Sequence, residues 1–182
     1  MNPQAVAFIP ARAGSKRIKD KNIQLLGGHP ILAYSIQVAL QSKIFDAVIC
    51  ATDSEQYAEI ARHYGAEVPF IRSPEISGDQ SPDIDWVLWM LKALNEAGRD
   101  FQAFSILRPT SPFRQVETIR RAWSLFIQDS QADSLRAVQK CKQHPGKMWI
   151  LNEKRMKPLL PFSNGGAPWH SNQYYWFLQL RG

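Results

Sequence analysis

Short apolar, β-rich runs alternate along this chain with amphipathic segments of helical length, and this alternation constrains the fold more than any other feature. "AVAFIPA" is followed by "PILAYSIQVALQSK", "DAVICAT" by "SEQYAEIARHYG", "EVPFI" by "SPDIDWVLWMLKALNEAG", and "QAFSILRP" by "SPFRQVETIRRAWSLFIQDS", before a last run, "DSLRAVQKC". Strands that alternate with helices are joined by right-handed crossovers, which makes the sheet mainly parallel and covers both of its faces. The expected fold class is α/β, a doubly wound, mainly parallel sheet. With 182 residues, 45% of them hydrophobic, the chain has enough apolar material for one core, and a single domain over 1–182 is expected.

Local signals support the helices. Ser54 before "EQYAEIA" is placed as an N-cap and Gly65 as the glycine that ends that helix; Pro30 suits a first helical turn. Trp86, Trp89, Met90 and Leu94 fall on one helical stripe, which reads as core packing. Cys50 lies inside an apolar strand and Cys141 far from it, without metal-ligand spacing, so both read as packing residues. No apolar run reaches the roughly 18 residues of a membrane span, and the first residues lack a signal-peptide pattern, so a cytoplasmic location is expected. From Pro158 the stretch "PLLPFSNGGAPWHSNQ" carries a loop signature.

The formal charge of +6 is unevenly spread. Five cations and one acid lie between Arg12 and Lys21, and six cations and one acid between Lys140 and Lys157, which leaves the remainder net acidic. Two local basic segments suit a compact polyanion such as a nucleotide triphosphate better than a nucleic acid. The first, "FIPARAGSKRIKDKNI", follows a strand directly, and ligands of parallel α/β sheets bind beyond the carboxyl ends of the strands. It has neither the spacing of a Walker loop nor the dinucleotide fingerprint. Gly14 permits close backbone approach, Ser15 brings a hydroxyl, and the surrounding Arg and Lys offer charge-assisted hydrogen bonds to phosphate oxygens. A solvated basic loop is the alternative on spacing alone.

With those residues in view, "IPARAGSKRIKDKNI", "ATDS" and "LRPTSPFR" resemble, in order and interval, three motifs of the acylneuraminate cytidylyltransferases, the CMP-sialic acid synthetase family that includes pseudaminate, legionaminate and Kdo activating enzymes. "RAVQKCKQHPGKMW" and "PWHSNQ" resemble its later substrate-side region. The resemblance implies a Rossmann-like nucleotide-diphospho-sugar transferase fold that transfers CMP from CTP to a nonulosonic acid and releases diphosphate. It implies that Arg12, Ser15, Lys16 and Lys21 contact the phosphates of CTP, with Arg12 and Lys21 in the catalytic role beside the leaving diphosphate. Asn22 matches the asparagine that reads cytosine, an amide being both donor and acceptor. Arg72 and Asp79 fall at nucleotide positions, although "GDQSPD" is also good capping chemistry for Asp79. Asp53 of "ATDS" is open between ligand contact and stabilisation of a helix N-terminus.

On the acceptor side the resemblance implies Arg108 and Thr110, and Lys142, His144 and Lys147 for a carboxylate and hydroxyls. Many sialic acid members have Gln at the position of Arg108, which points to a different nonulosonate. His29 and His63 read as surface or packing residues, whereas His144 and His170 are open between site and structural roles. Mg²⁺ is the implied cofactor, yet the match fades after Gln173, where "YYWFLQLRG" stands in place of the segment that carries the family's main metal carboxylates. The metal ligands are therefore unknown, and impaired turnover, or another base or acceptor, is the alternative expectation. The substrate-side region, with Met148, Trp149, Ile150 and Leu151 among its cations, implies a homodimer. Neither nucleic acid nor membrane is expected as a partner.

Overall fold

The computed structural model describes residues 3–15, 18–78, 81–138, 149–152, 155–158 and 175–179. The chain divides into two compact units, one formed by 1–136 with 174–182 and the other by 137–173.

In the first unit, β1 (Ala5–Pro10) is an interior strand of a five-stranded sheet, second from one edge. It pairs in parallel with β4 (Ala47–Ala51) on one side and β5 (Ala103–Ile106) on the other. Beyond β5 come β9 (Tyr175–Gln179) and β6 (Ser134–Arg136), giving the order β4-β1-β5-β9-β6. β9 runs antiparallel to both neighbours, so the other four strands share one direction. The expected mainly parallel α/β sheet is what forms, with the aromatic run near the C-terminus supplying its one reversed strand.

Alternation along β1 explains why both faces are covered. Ala5, Ala7 and Ile9 point into one core with α1 (Ile31–Ser42), α2 (Glu55–His63) and α4 (Val116–Gln128). Val6 and Phe8 point into the other, against α3 (Asp83–Glu96). All five side chains are fully buried, which is why the strand reads as a continuous apolar run. Trp86, Met90 and Leu94 on α3 are buried as their spacing predicts, and Trp86 meets Phe8 edge-on with centroids 5.8 Å apart. Truncating such a buried indole costs about 3–5 kcal/mol.

Ser54 caps α2 by accepting from the Tyr57 N–H at 3.4 Å. Gly65 follows at φ +93°, where a Cβ would also come within 3.0 Å of Leu40, so the helix ends on glycine for two reasons. Pro30 stands just before α1 as its N-cap rather than inside its first turn, after a small hairpin of β2 (Leu25–Leu26) and β3 (His29–Pro30).

One expected strand does not form. In "EVPFI" a single bridge joins Glu67 to Ile49, after which Pro69, having no N–H to donate, breaks the ladder. In the second unit, β7 (Trp149–Asn152) and β8 (Arg155–Pro158) form an antiparallel pair in which Ile150 is exposed.

Candidate nucleotide site at the carboxyl rim of the sheet

The carboxyl ends of β4, β1 and β5 lie side by side, with Pro10 opposite Ala51 and Phe8 opposite Ile106. The topology reverses at β1, since the first crossover leads to β4 and the next returns past it to β5. A crevice beyond such a reversal is where ligands of open α/β sheets bind.

The basic loop after β1 is held by neutral and acidic tethers. The Ala13 N–H donates to Asp53 Oδ1 at 2.7 Å, tying the loop to the end of β4. The Asn22 Nδ2 donates to the Arg12 carbonyl at 3.0 Å, and Arg12 Nη1 donates to the Ser77 carbonyl at 3.3 Å. Tyr57 OH donates to Asp20 Oδ1 at 3.1 Å, and Asp20 holds a left-handed backbone with φ 51°. Gly14 sits at φ +69° with nothing within 4 Å of a built Cβ, so the glycine serves the backbone conformation and leaves open space in front of it. Burial first, and then the bond to Asp20, push the Tyr57 phenol up to about 12.

Arg72 is 5% exposed, an unusual burial for a guanidinium. Its backbone N–H donates to the carbonyl of Thr52, the residue just after β4, at 2.9 Å. Its guanidinium lies 5.5 Å from the centre of the Trp86 ring, a cation–π geometry. Burial lowers its pKa, while Asp53 and, more weakly, Asp83 oppose that shift. Arg108, just after β5, is ion-paired through Nη2 with Asp83 Oδ2, and its carbonyl accepts from Ser35 Oγ at 3.2 Å. The Nε atoms of Arg72 and Arg108 are both buried without a protein partner.

The fold thus brings Arg12, Asn22, Arg72 and Arg108 to one rim, with Ser15 and Lys21 half-buried on the first loop. Asn22 is itself buried, and its tether to Arg12 uses one donor of an amide that has a second N–H and a carbonyl oxygen. Thr110 is exposed in the turn closed by the Ser111 N–H on the Arg108 carbonyl at 3.2 Å. Lys16, Asp79, Lys142, His144, Lys147, His170 and Cys141 lie outside the described residues. His29 and His63 are exposed and packed on Tyr64, and Cys50 is a buried free thiol pushed up to about 12 by burial, which fits their structural reading.

Two acids carry more than the sequence suggested. Asp53 tethers the first loop, while the helix N-terminus is capped by Ser54 instead. Asp83, unremarked in the sequence because a first-turn acid is ordinary at a helix start, holds Arg108 and Trp86 at once, accepting from Trp86 Nε1 at 3.0 Å. Both carboxylates are therefore engaged, and no group of three metal-binding side chains occurs among the described residues. The described residues do not fit a protein-built Mg²⁺ cage.

A hollow of about 810 Å³ lies elsewhere, along α1 and the start of α4. Two of its polar residues hold the scaffold: Arg120 donates to the carbonyls of Gln41 and Ser42 at 3.1 Å each, and Gln37 to that of Tyr64 at 2.9 Å.

The family model for cytidylyltransferases matches residues 6–144. The CMP-N,N'-diacetyllegionaminic acid synthase of Legionella pneumophila is 45% identical over 117 residues, which cover 64% of this chain and 50% of that protein. The pseudaminic acid cytidylyltransferase of Campylobacter jejuni is 34% identical over 148 residues, 81% of this chain and 63% of that one. The chain thus spans between half and two thirds of the length of these relatives. A solved CMP:2-keto-3-deoxy-manno-octonic acid synthetase complexed with CTP shares the fold at a TM-score of 0.68 and 16% identity, covering 97% of this chain and 71% of that one. The family match spans the tethered loop, both acids and all three rim arginines, and the chain belongs to the cytidylyltransferase family.

Proposed function

We propose that this chain binds CTP at the carboxyl rim of its sheet and transfers CMP to a nonulosonic acid of the legionaminic or pseudaminic kind. The acceptor's anomeric hydroxyl attacks the α-phosphorus in line; the new O–P bond forms as the bond to the diphosphate breaks, and diphosphate and a proton are released. For such a reaction a protein contributes chiefly positioning and charge neutralisation. In this reading Arg12, Ser15 and Lys21 take the phosphates, Asn22 and Arg72 the nucleotide, and Arg108 and Thr110 the acceptor; the resemblance adds Lys16 for the phosphates, Asp79 for the nucleotide, and Lys142, His144 and Lys147 for the acceptor. Mg²⁺ belongs to this proposal as an ion bound by the nucleotide's own phosphate oxygens. A homodimer formed through the substrate-side region, 140–173, and a cytoplasmic location complete it; no described helix is long and apolar enough to cross a membrane.

The observation that carries the reading is the pair of rim arginines whose Nε donors are buried and unmatched, beside a basic loop anchored by Asp53. A buried donor without a partner is costly, and an anionic ligand nearby offsets that cost. Calorimetric titration with CTP, GTP and UTP, followed by diphosphate release in the presence of legionaminic or pseudaminic acid, tests it. CTP-selective binding with release supports the proposal, and equal binding of all three triphosphates contradicts it. The engagement of Asp53 and Asp83 favours a second reading, CTP binding without turnover, which the release assay separates from the first.

A further inference from the structure

The Asp83 carboxylate has two partners on two different elements. Oδ1 accepts from Trp86 Nε1 one turn along α3 at 3.0 Å, and Oδ2 is ion-paired with Arg108 after β5. Trp86 in turn lies under the Arg72 guanidinium, 5.5 Å from it, on the side of the rim next to β4. Arg108 and Arg72 are thus connected through one acid and one indole. The Arg108 side chain is 27% exposed and that of Asp83 36%, so the pair is open to a ligand on one side. A guanidinium has five N–H donors in a planar fork, and fixing one end of the fork sets the direction of the rest.

We propose that Asp83 is a positioning residue: it orients Arg108 by direct contact, and reaches Arg72 through Trp86 and a weaker effect of its charge, so that it governs recognition of the anionic acceptor more than recognition of the nucleotide. This rests on the proposed function, in which Arg108 faces the acceptor and Arg72 the nucleotide. It also gives the Arg at position 108 a physical consequence. An Arg there needs an acid to hold it, whereas an amide side chain would bring no charge to be paired.

The test is the near-isosteric Asp83→Asn variant, alone and combined with Arg108→Gln. Loss of a charge-assisted contact through which a ligand group is aimed is expected to raise KM for the acceptor about tenfold while KM for CTP stays within about twofold. In the Arg108→Gln background the same change is expected to add nothing further, since coupled residues are non-additive. Equal increases in both KM values, or full additivity, would overturn the proposal and leave Asp83 a structural acid. A ligand-free readout separates this outcome from failure of the proposed function. The Trp86 indole N–H resonance, assigned by Trp86→Phe, is expected to shift in Arg108→Gln protein because the two groups share one carboxylate. An unmoved resonance overturns the coupling even if the wild-type chain shows no turnover; a shifted resonance in a chain that binds no CTP overturns the functional reading alone.

Discussion

The rim beyond β1, β4 and β5 and the hollow along α1 and α4 make opposite use of polar side chains. The hollow measures about 810 Å³, yet its Arg120 and Gln37 side chains reach helix-end and loop carbonyls and so serve the scaffold. At the rim two guanidiniums are drawn into the protein, stacked on an indole or paired with an acid, and each keeps an unmatched Nε. Burying charge that the fold does not fully satisfy is unfavourable, so it is better evidence of a ligand than the size of a cavity.

The comparison breaks if the two regions respond alike to substitution. Arg72→Met, which keeps apolar contact with Trp86 but removes the fork, is expected to weaken CTP binding by about 100-fold in calorimetry, the scale of losing a buried charged partner. Asp53→Asn loosens the tether to Ala13 and is expected to weaken CTP binding roughly tenfold, as the hydrogen bond loses its charge. An unchanged affinity in either variant would remove the rim from the nucleotide site. Tyr57→Phe deletes the bond to Asp20 and should lower stability by about 1 kcal/mol in urea unfolding at neutral pH.

Tyr57 also has a sign that can be checked against pH. Its pKa rises on folding from the ordinary 10.0 to about 12, so the folded state holds the proton longer than the unfolded chain. The stabilisation is complete below pH 10 and is lost as pH rises toward 12, and Tyr57→Phe should flatten that part of the stability profile. The smallest expected effect on function lies in the hollow: Arg120→Ala removes two bonds to carbonyls of α1, at about 1 kcal/mol of stability, and leaves CTP affinity unchanged. A fall in CTP affinity there would move the site to the hollow.

Much of this was legible in the sequence because it depends on local chemistry. Ser54, Gly65 and the Trp86 stripe act within a turn or two of themselves, so capping and periodicity place them. Arg12, Asn22, Arg72 and Arg108 were found through the resemblance, and the fold gathers them at one rim. Relations across the fold were not legible. Whether Asp53 reaches Ala13 or caps a helix is decided by the pairing of β1 with β4, 40 residues apart. Asp83 looks like any first-turn acid until β5 brings Arg108 beside it, 25 residues on. "EVPFI" has strand composition, but Pro69, which has no N–H to donate, allows it only a bridge.

The most direct test of the central claim, that the carboxyl rim is built to hold CTP, is a crystal structure of the chain soaked with CTP. The account predicts triphosphate oxygens on the Arg12–Lys21 loop, the cytosine edge on Asn22, and Arg72 still seated on Trp86. Density for the nucleotide along α1 and α4, or an empty rim at saturating CTP, would contradict it.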